Sequence, residues 1–301
     1  MSSLFKKFRV IFPTSPPAEG AVLMVFACTC FASMSALIRE LSITISPFEI
    51  ALFRNAVSLI LVTPIFLFIG FDKLRPTKFS PFLLRAIFGI LAMWCWYSAL
   101  SLIPLAEAVA LNFTVALWMI PIAIIILREK VGVRRWIATL VGFGGVLIVL
   151  QPGTETASIG GLLAVLAALL FAISIALIRI LSKTESPTSI VFWMSVFLTP
   201  LSIGPAIWFW TTPDPRELIL LIGVGALATI GHYSMARALS LSEATALTPL
   251  DFTRLPFAAL IGYFMFSEIP AHTTWIGAGI IILSAIYISN REAKKNLLTK
   301  N

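Results

Sequence analysis

Two opposite charges lie inside an apolar stretch near the C-terminal end of the chain. Asp251 and Arg254 are three residues apart within residues 244–266, and a helix would place both side chains on one face. Charges in so apolar a segment are costly unless they pair or face water. Two hypotheses follow: a structural ion pair inside a helix bundle, or a pair that lines a cavity and contacts a charged or zwitterionic substrate.

A second set of candidates combines flat rings with hydrogen-bonding groups. We predict that substrate binding also involves Trp94, Tyr97, Asn112, His232 and Tyr233. The aromatic rings could stack on a flat substrate or pack in an ordinary core. Asn112 could hydrogen-bond a substrate or a neighbouring helix, and His232 could carry a proton or form a structural hydrogen bond.

Arg54 is a further charge inside an apolar run, about two turns from the start of residues 48–70. Its long side chain could extend to the membrane surface, or it could pair with Glu49.

No residue pattern predicts a catalytic, cofactor or metal site. Cys28, Cys30 and Cys95 lie in apolar runs at spacings that match no zinc site, and the chain has only two histidines. The sequence contains no phosphate-binding loop, no HExxH and no GxSxG. The chain is therefore predicted to need no cofactor and not to be an enzyme.

The composition places these residues in a membrane. Of 301 residues, 59% are apolar and only 12% are charged, and the mean hydropathy is +0.98. A soluble domain has about 45–50% apolar residues and about a quarter charged ones, so this chain cannot cover a water-facing surface. The net charge of +8 is assigned to cytoplasmic loops and not to nucleic-acid binding.

The apolar runs are continuous and lack period-two alternation, which predicts helices and excludes an outer-membrane barrel. A membrane helix needs about 20 such residues. The predicted fold class is an all-α polytopic membrane protein in the lipid bilayer, with ten transmembrane helices at 20–38, 48–70, 82–101, 105–127, 134–151, 160–181, 188–210, 217–238, 244–266 and 273–290.

The chain contains an internal duplication. Residues 20–50 align with residues 160–190 at an offset of 140, and 16 of the 31 aligned positions are identical. Later the offset is 136, where Tyr97 matches Tyr233. Because each half has five spans, the second half must be inverted relative to the first, an arrangement typical of secondary transporters. The alternative is a duplicated structural bundle without transport.

The two halves are not identical in length around their fourth spans. Asn112 is matched by Thr248 at the offset of 136, but Glu129 matches Glu268 at an offset of 139. Strict symmetry of cavity residues on these two helices is therefore not expected beyond their first turns.

The distribution of Lys and Arg predicts the orientation. With the N-terminus in the cytoplasm, 18 of these residues, Arg85 among them, lie on the cytoplasmic side, and only Arg39 and Arg216 lie outside. We therefore expect a multi-pass protein of a bacterial inner membrane with both termini in the cytoplasm. Its predicted parts are a cytoplasmic lead-in (1–19), the first five-helix repeat (20–151), an external linker (152–159), the second five-helix repeat (160–290) and a basic cytoplasmic tail (291–301).

Several phrases resemble one known family. They are Trp-Tyr-Ser-Ala-Leu at 96–100 followed by Ala-Glu-Ala at 106–108, Leu-Arg-Glu-Lys at 127–130, and the span from Trp136-Ile137 to the glycine-rich residues 142–145. Together with two five-helix repeats over residues 20–290, they look like the EamA branch of the drug/metabolite transporter superfamily. The resemblance implies ten helices, cytoplasmic termini and a central cavity for amino acids, nucleoside-like metabolites, vitamins or drugs.

The leading functional hypothesis is a secondary transporter that moves a small organic metabolite by alternating access. An amino acid or an amino-acid-derived compound is the first expectation, because the candidate site combines an acid, a base and several aromatic rings. Alternatives are a vitamin or nucleoside-like solute of the riboflavin or S-adenosylmethionine type and, from another class, a membrane-embedded lipid-modifying enzyme. A proton, sodium or a counter-substrate could drive transport, and the sequence indicates neither its direction nor the oligomeric state.

The orientation can be tested with reporter fusions. Alkaline phosphatase fused after residue 301 should be inactive, whereas a fusion near Thr156 should be active, because the reporter matures only outside the cytoplasm. Activity of the C-terminal fusion would contradict the predicted orientation.

Overall fold

The structure is a computed structural model that describes residues 16–69, 79–126, 128, 132–151, 158–181, 184–185, 187–241, 247 and 250–298. Helices account for nearly all of these described residues, and none of them forms a strand. In chain order the helices are α1 (Pro16–Leu41), α2 (Pro47–Ile69), α3 (Phe79–Leu102), α4 (Leu105–Asn112), α5 (Val115–Ile125), α6 (Val133–Leu150), α7 (Ile159–Leu181), α8 (Pro187–Trp208), α9 (Pro215–Leu241), α10 (Arg254–Phe266) and α11 (His272–Leu298).

The described helices provide ten apolar segments. Six are long and apolar enough to cross a membrane, one of which combines α4 with α5, and four are shorter. The prediction of an all-α membrane protein with ten spans is confirmed. Some helices extend past the predicted limits, as α1 begins at Pro16 and α11 ends at Leu298. Apolar composition marks only the hydrocarbon layer, and a helix can continue into its polar flanks.

The sequence marks where helices begin and end. α1, α2, α8 and α9 each begin at a proline, whose fixed φ suits the first turn and whose missing N–H would lack an intrahelical partner there. Arg128 and Ser267, equivalent at the offset of 139, have left-handed φ values of 55° and 54°. After α10, this turn lets the Glu268 N–H bond to the Gly262 carbonyl at 3.1 Å, which holds Glu268 in position.

The helices pack so that the two repeats interlock. The most extensive interfaces join α1 to α9, α3 to α7, α6 to α11 and α2 to α8, and each joins a helix of the first repeat to one of the second. Because α1 matches α7 and α3 matches α9 in the duplication, the first two interfaces are copies of each other. The other two interfaces join equivalent helices. Two inverted repeats related by a pseudo-twofold axis produce this pattern.

Small residues allow close approach at these interfaces. One stripe of α7 is fully buried and consists of Gly160, Ala164, Ala168, Ala172 and Ala176. Between α6 and α11, a Cβ added at Gly145 would lie 2.8 Å from the carbonyl oxygen of Gly277, and one added at Gly277 would lie 2.6 Å from that of Gly145. The backbones of these two helices are therefore in contact, which only glycine permits.

Some predicted features lie outside the described residues. They are the first fifteen residues of the lead-in, residues 152–157 of the external linker, residues 299–301 of the tail, and Glu129 and Thr248.

Adjacent glycines on α6 provide a matched test of this interface. Gly145→Ala should lower stability by about 1–3 kcal/mol, because its methyl group would meet the Gly277 carbonyl and force the helices apart. Gly144→Ala should be neutral or slightly stabilising, since nothing lies within 4 Å of its added Cβ. Thermal unfolding of the purified variants measures both effects, and equal melting temperatures would contradict backbone contact at Gly145.

Candidate functional site

Two helices are interrupted at equivalent places, one in each repeat. A tight turn interrupts the predicted span 105–127 at Phe113–Thr114, and another interrupts the predicted span 244–266 at Phe252–Thr253. The N–H groups of Thr114 and Thr253 bond three residues back, to Leu111 and Leu250, both at 3.1 Å. The hydroxyls of both threonines donate to the same carbonyls at 2.6 Å. Each hydroxyl thus competes with the regular helical ladder, which explains the tight turn.

The two interruptions share a short sequence that hydropathy alone does not reveal. Phe113–Thr114 recurs as Phe252–Thr253 at the offset of 139, and this repetition is the signal that could have located the breaks. At this offset Asn112 matches Asp251, whereas the offset of 136 pairs it with Thr248. The extra three residues of the second repeat therefore lie before its interruption.

A cavity of about 240 Å³ lies between the two interrupted helices. The rings of Phe113 and Phe252 meet there edge to face, with centroids 4.9 Å apart. Its walls come from both repeats and are formed by Asn112, Phe113, Val115, Ala116, Asp251, Phe252, Arg254 and Ala285. The structure thus brings three of the predicted site residues together: Asn112, Asp251 and Arg254.

The two charges of this cavity form an ion pair. An Nη atom of Arg254 lies 2.6 Å from Oδ1 of Asp251, and both side chains keep partial exposure, at 20% and 33%. The Arg254 guanidinium also lies 4.9 Å from the centroid of the Phe31 ring on α1, a cation–π contact. The thiol of Cys28, one turn earlier on α1, lies 3.7 Å from Oδ1 of Asp251. The pair is therefore held against α1 and still faces the cavity.

His232 joins this cluster through the same aromatic ring. Its imidazole packs edge to face on Phe31, with centroids 4.9 Å apart. Its Nδ1 lies 2.7 Å from the carbonyl oxygen of Ala228, so this nitrogen carries the proton of the bond. The side chain remains exposed although α9 packs against α1. His232 thus lies beside the charged pair without belonging to the cavity lining.

The structure places the other three predicted residues elsewhere. Tyr97 is fully buried in the core. Trp94 packs edge to face on Phe48, with centroids 5.2 Å apart, and its indole N–H is sealed without an acceptor. Tyr233 is 48% exposed. None of the three lines the cavity between the interrupted helices.

Two buried arginines were not predicted as site residues. Arg54 neither extends outward nor pairs with Glu49: it is 9% exposed, and its Nη1 donates to Oδ1 of Asn55 at 3.0 Å. Glu49 instead accepts the N–H of Thr211 at 3.0 Å. Arg85, which was counted on the cytoplasmic side although the predicted span 82–101 contains it, lies six residues after the start of α3 and is 9% exposed. The sequence signal that could have identified Arg54 and Arg85 is a charged residue within an apolar run.

Ion pairs join the two repeats at the end of the bundle opposite the chain termini, which we call the distal end. Arg39, in the last turn of α1, pairs with Glu268 after α10. Glu268 also accepts the Leu105 N–H at 2.9 Å. Glu40 pairs with Arg216 at the start of α9. These contacts link the first repeat to the second on one side of the cavity.

The chemistry that the cavity offers is charge pairing and hydrogen bonding. Its lining supplies one carboxylate, one guanidinium and one amide next to two phenyl rings. Within the described part of the chain, no three His, Cys, Asp or Glu side chains converge in a way that could hold a metal ion.

Comparisons with known proteins agree with this fold. The model of the EamA-like transporter family matches twice, at residues 18–151 and 158–290. A solved crystal structure shares the fold with a TM-score of 0.62 and 18% sequence identity, covering 89% of this chain and 96% of that one.

Three bacterial relatives are similar over most of their length. A riboflavin transporter of Vibrio cholerae is 31% identical over 290 residues, covering 95% of this chain and 97% of the relative. An S-adenosylmethionine uptake transporter of Rickettsia bellii is 32% identical, covering 85% and 88%. A pseudopaline exporter of Pseudomonas aeruginosa is 29% identical, covering 90% and 96%. With the family matched in both halves and such relatives aligned along the whole chain, this protein belongs to the EamA-like transporter family.

Proposed function

We propose that this protein is a secondary carrier that moves a small, ring-bearing metabolite of the riboflavin or S-adenosylmethionine type across a bacterial inner membrane by alternating access. The observation that carries the proposal is the cavity between two interrupted helices, one from each inverted repeat. Secondary transporters place their substrate sites at such discontinuities, near the middle of the membrane.

The interlocked packing supports alternating access. The principal helix interfaces occur as copies or join equivalent helices. The conformation seen here and its inverted counterpart can therefore use the same contacts with the repeats exchanged. At the distal end, Arg39–Glu268 and Glu40–Arg216 cross between the repeats. In the transport cycle these pairs must separate when the cavity opens to that side.

The cavity lining supports a solute with a flat apolar part and a charged part. Phe113 and Phe252 offer ring faces and edges for stacking. Asp251 and Arg254 offer opposite charges that a solute can recruit, since both keep partial exposure. Asn112 adds an amide that can donate and accept hydrogen bonds. The relatives named for riboflavin and S-adenosylmethionine carry solutes that contain ring systems.

An amino acid is the second candidate, favoured by the Asp251–Arg254 pair. A zwitterion places its carboxylate on the guanidinium and its ammonium on the carboxylate. S-adenosylmethionine carries ammonium and sulfonium groups beside its adenine ring, so Asp251 also suits a cationic part of this solute. Trp94, Tyr97, His232 and Tyr233 remain predicted contacts for other conformations of the cycle.

The carrier function can be tested by counterflow in proteoliposomes. Vesicles loaded with unlabelled riboflavin or S-adenosylmethionine should accumulate the matching labelled solute, and the recovered label should be chemically unchanged. Protein-free vesicles and vesicles loaded with the other solute are the controls. A chemically altered label would favour the membrane-embedded enzyme. Exchange of a labelled amino acid, with neither ring-bearing probe exchanged, would favour the second candidate.

Variants of the charged pair separate a binding role from a structural one. Asp251→Asn leaves Arg254 without its counter-charge and should lower stability by about 1–3 kcal/mol. Combined with Arg254→Gln, much of this loss should be regained, because no unpaired charge remains. If the pair binds solute, the double variant should be folded yet inactive in counterflow, while Arg237→Gln, at an exposed position on α9, stays active.

The measurements are counterflow and melting temperature on the same preparations. A double variant that is both stable and fully active would remove Asp251 and Arg254 from the site.

A further inference from the structure

Two arginines are buried in the bundle without an acidic partner. Arg54 on α2 and Arg85 on α3 are each 9% exposed. Neither forms an ion pair with a carboxylate in the described part of the chain. The Nε atom of each is sealed from solvent and lacks a hydrogen-bond partner. Both guanidinium groups therefore have unused donors inside the protein.

The hydrogen-bond partners of these two side chains among the described residues include no carboxylate. Arg54 donates one hydrogen bond to Oδ1 of Asn55, whose amide nitrogen in turn donates to Oγ of Ser202 at 2.9 Å. The side chain of Arg85 donates to no described group. Its Nε atom is sealed from solvent, whereas its two Nη atoms are not. Both side chains thus have donors without a described partner.

Both arginines lie within helices and away from the helix ends. Arg54 lies seven residues after the start of α2, and Arg85 six residues after the start of α3. At 1.5 Å per residue, these positions are about 10 Å and about 9 Å from opposite ends of the bundle. Both arginines also lie beside the same part of α8. Asn55, next to Arg54, donates to Ser202. A Cβ added at Gly89, one turn after Arg85, would lie 3.7 Å from Leu198, one turn before Ser202.

An arginine cannot relieve this arrangement by losing its proton, because guanidinium stays charged in proteins. Two like charges in an apolar interior raise the free energy of the folded state unless an anion lies between them. Asp251 is already bound to Arg254. The compensating charge must therefore come from outside the described chain.

We propose that Arg54 and Arg85 form an oxyanion-binding site, separate from the cavity between the interrupted helices, that takes a carboxylate or a phosphate group. Guanidinium suits these groups because its planar fork donates two parallel hydrogen bonds to a pair of oxygens. We assign the anion to the transported metabolite, and this assignment rests on the proposed carrier function. A solute of the S-adenosylmethionine type would then place its carboxylate on the two arginines and its ammonium or sulfonium group on Asp251.

The site can be tested on the purified full chain in a maltoside detergent, with inorganic phosphate as the probe. Sodium phosphate should raise the melting temperature of the natural protein above that in sodium chloride of equal ionic strength, since a ligand that binds only the folded state stabilises it. In Arg54→Gln and Arg85→Gln, apparent phosphate affinity should fall about tenfold or more, because each removes charge-assisted hydrogen bonds. Arg237→Gln should respond like the natural protein.

The phosphate-free melting temperatures add a second criterion. Each Gln variant should melt at or above the natural protein, because an unpaired buried charge has been removed. Arg54→Lys and Arg85→Lys keep the charge but lose the fork, so they should fold and bind phosphate more weakly. The site is ruled out if phosphate leaves the natural protein unchanged, or shifts it and both Gln variants equally.

Proteoliposomes distinguish the two sources of the anion. Phosphate should inhibit counterflow of labelled S-adenosylmethionine, which carries a carboxylate, without itself being exchanged. Exchange of labelled phosphate would overturn the assignment to the metabolite and identify a small counter-anion. If no labelled solute is exchanged, the proposed carrier function fails, while the melting experiment still decides whether the two arginines bind an oxyanion.

Discussion

The structure depends on one constraint: inside a bilayer, every backbone N–H and C=O must find its partner within the protein. Ordinary helices meet it automatically, but an interrupted helix does not. At the interruptions Phe113–Thr114 and Phe252–Thr253, side-chain hydroxyls satisfy backbone carbonyls. Thr114 and Thr253 each donate at 2.6 Å to the carbonyl three residues earlier. The cavity can lie between these irregular segments because their backbone groups are satisfied locally. The side-chain amide of Asn112 is then not needed for the turn and can bind other partners.

A similar constraint applies to charged side chains, which are costly in an apolar interior unless they are paired or face water. Where the chain places charges near the distal end, it pairs them across the repeats, as in Arg39–Glu268. At the cavity, Asp251 pairs with Arg254 and stays partly exposed. The pairs between repeats hold helices together, whereas the partly exposed Asp251–Arg254 pair can exchange partners with a ligand. Arg54 and Arg85 depart from this rule, and in a membrane protein such departures occur where ions or solutes pass.

The sequence predicted the architecture well because hydropathy and duplication are global signals. Ten spans and an inverted repeat follow from composition and alignment, and Asp251 and Arg254 stand out as charges in an apolar run. The interruptions were missed because an apolar run does not reveal a change in its hydrogen bonds. Arg85 was counted with the cytoplasmic charges because its position near the start of a span resembles the basic flank of one. Which side of a helix Tyr97 faces depends on packing that only the structure shows.

Duplication explains why the scaffold is symmetric, and later substitutions explain why the site is not. At the interruptions the sequences are Asn-Phe-Thr-Val and Asp-Phe-Thr-Arg, beginning at Asn112 and Asp251. The shared Phe-Thr maintains the same turn in both repeats, whereas the flanking positions give one repeat an amide and a valine and the other an ion pair. An asymmetric solute needs this difference, because two identical half-sites would bind it equally well in two opposite orientations. Restoring symmetry by Asp251→Asn with Arg254→Val would keep the turn and remove the charges by which the cavity distinguishes the two ends of its solute.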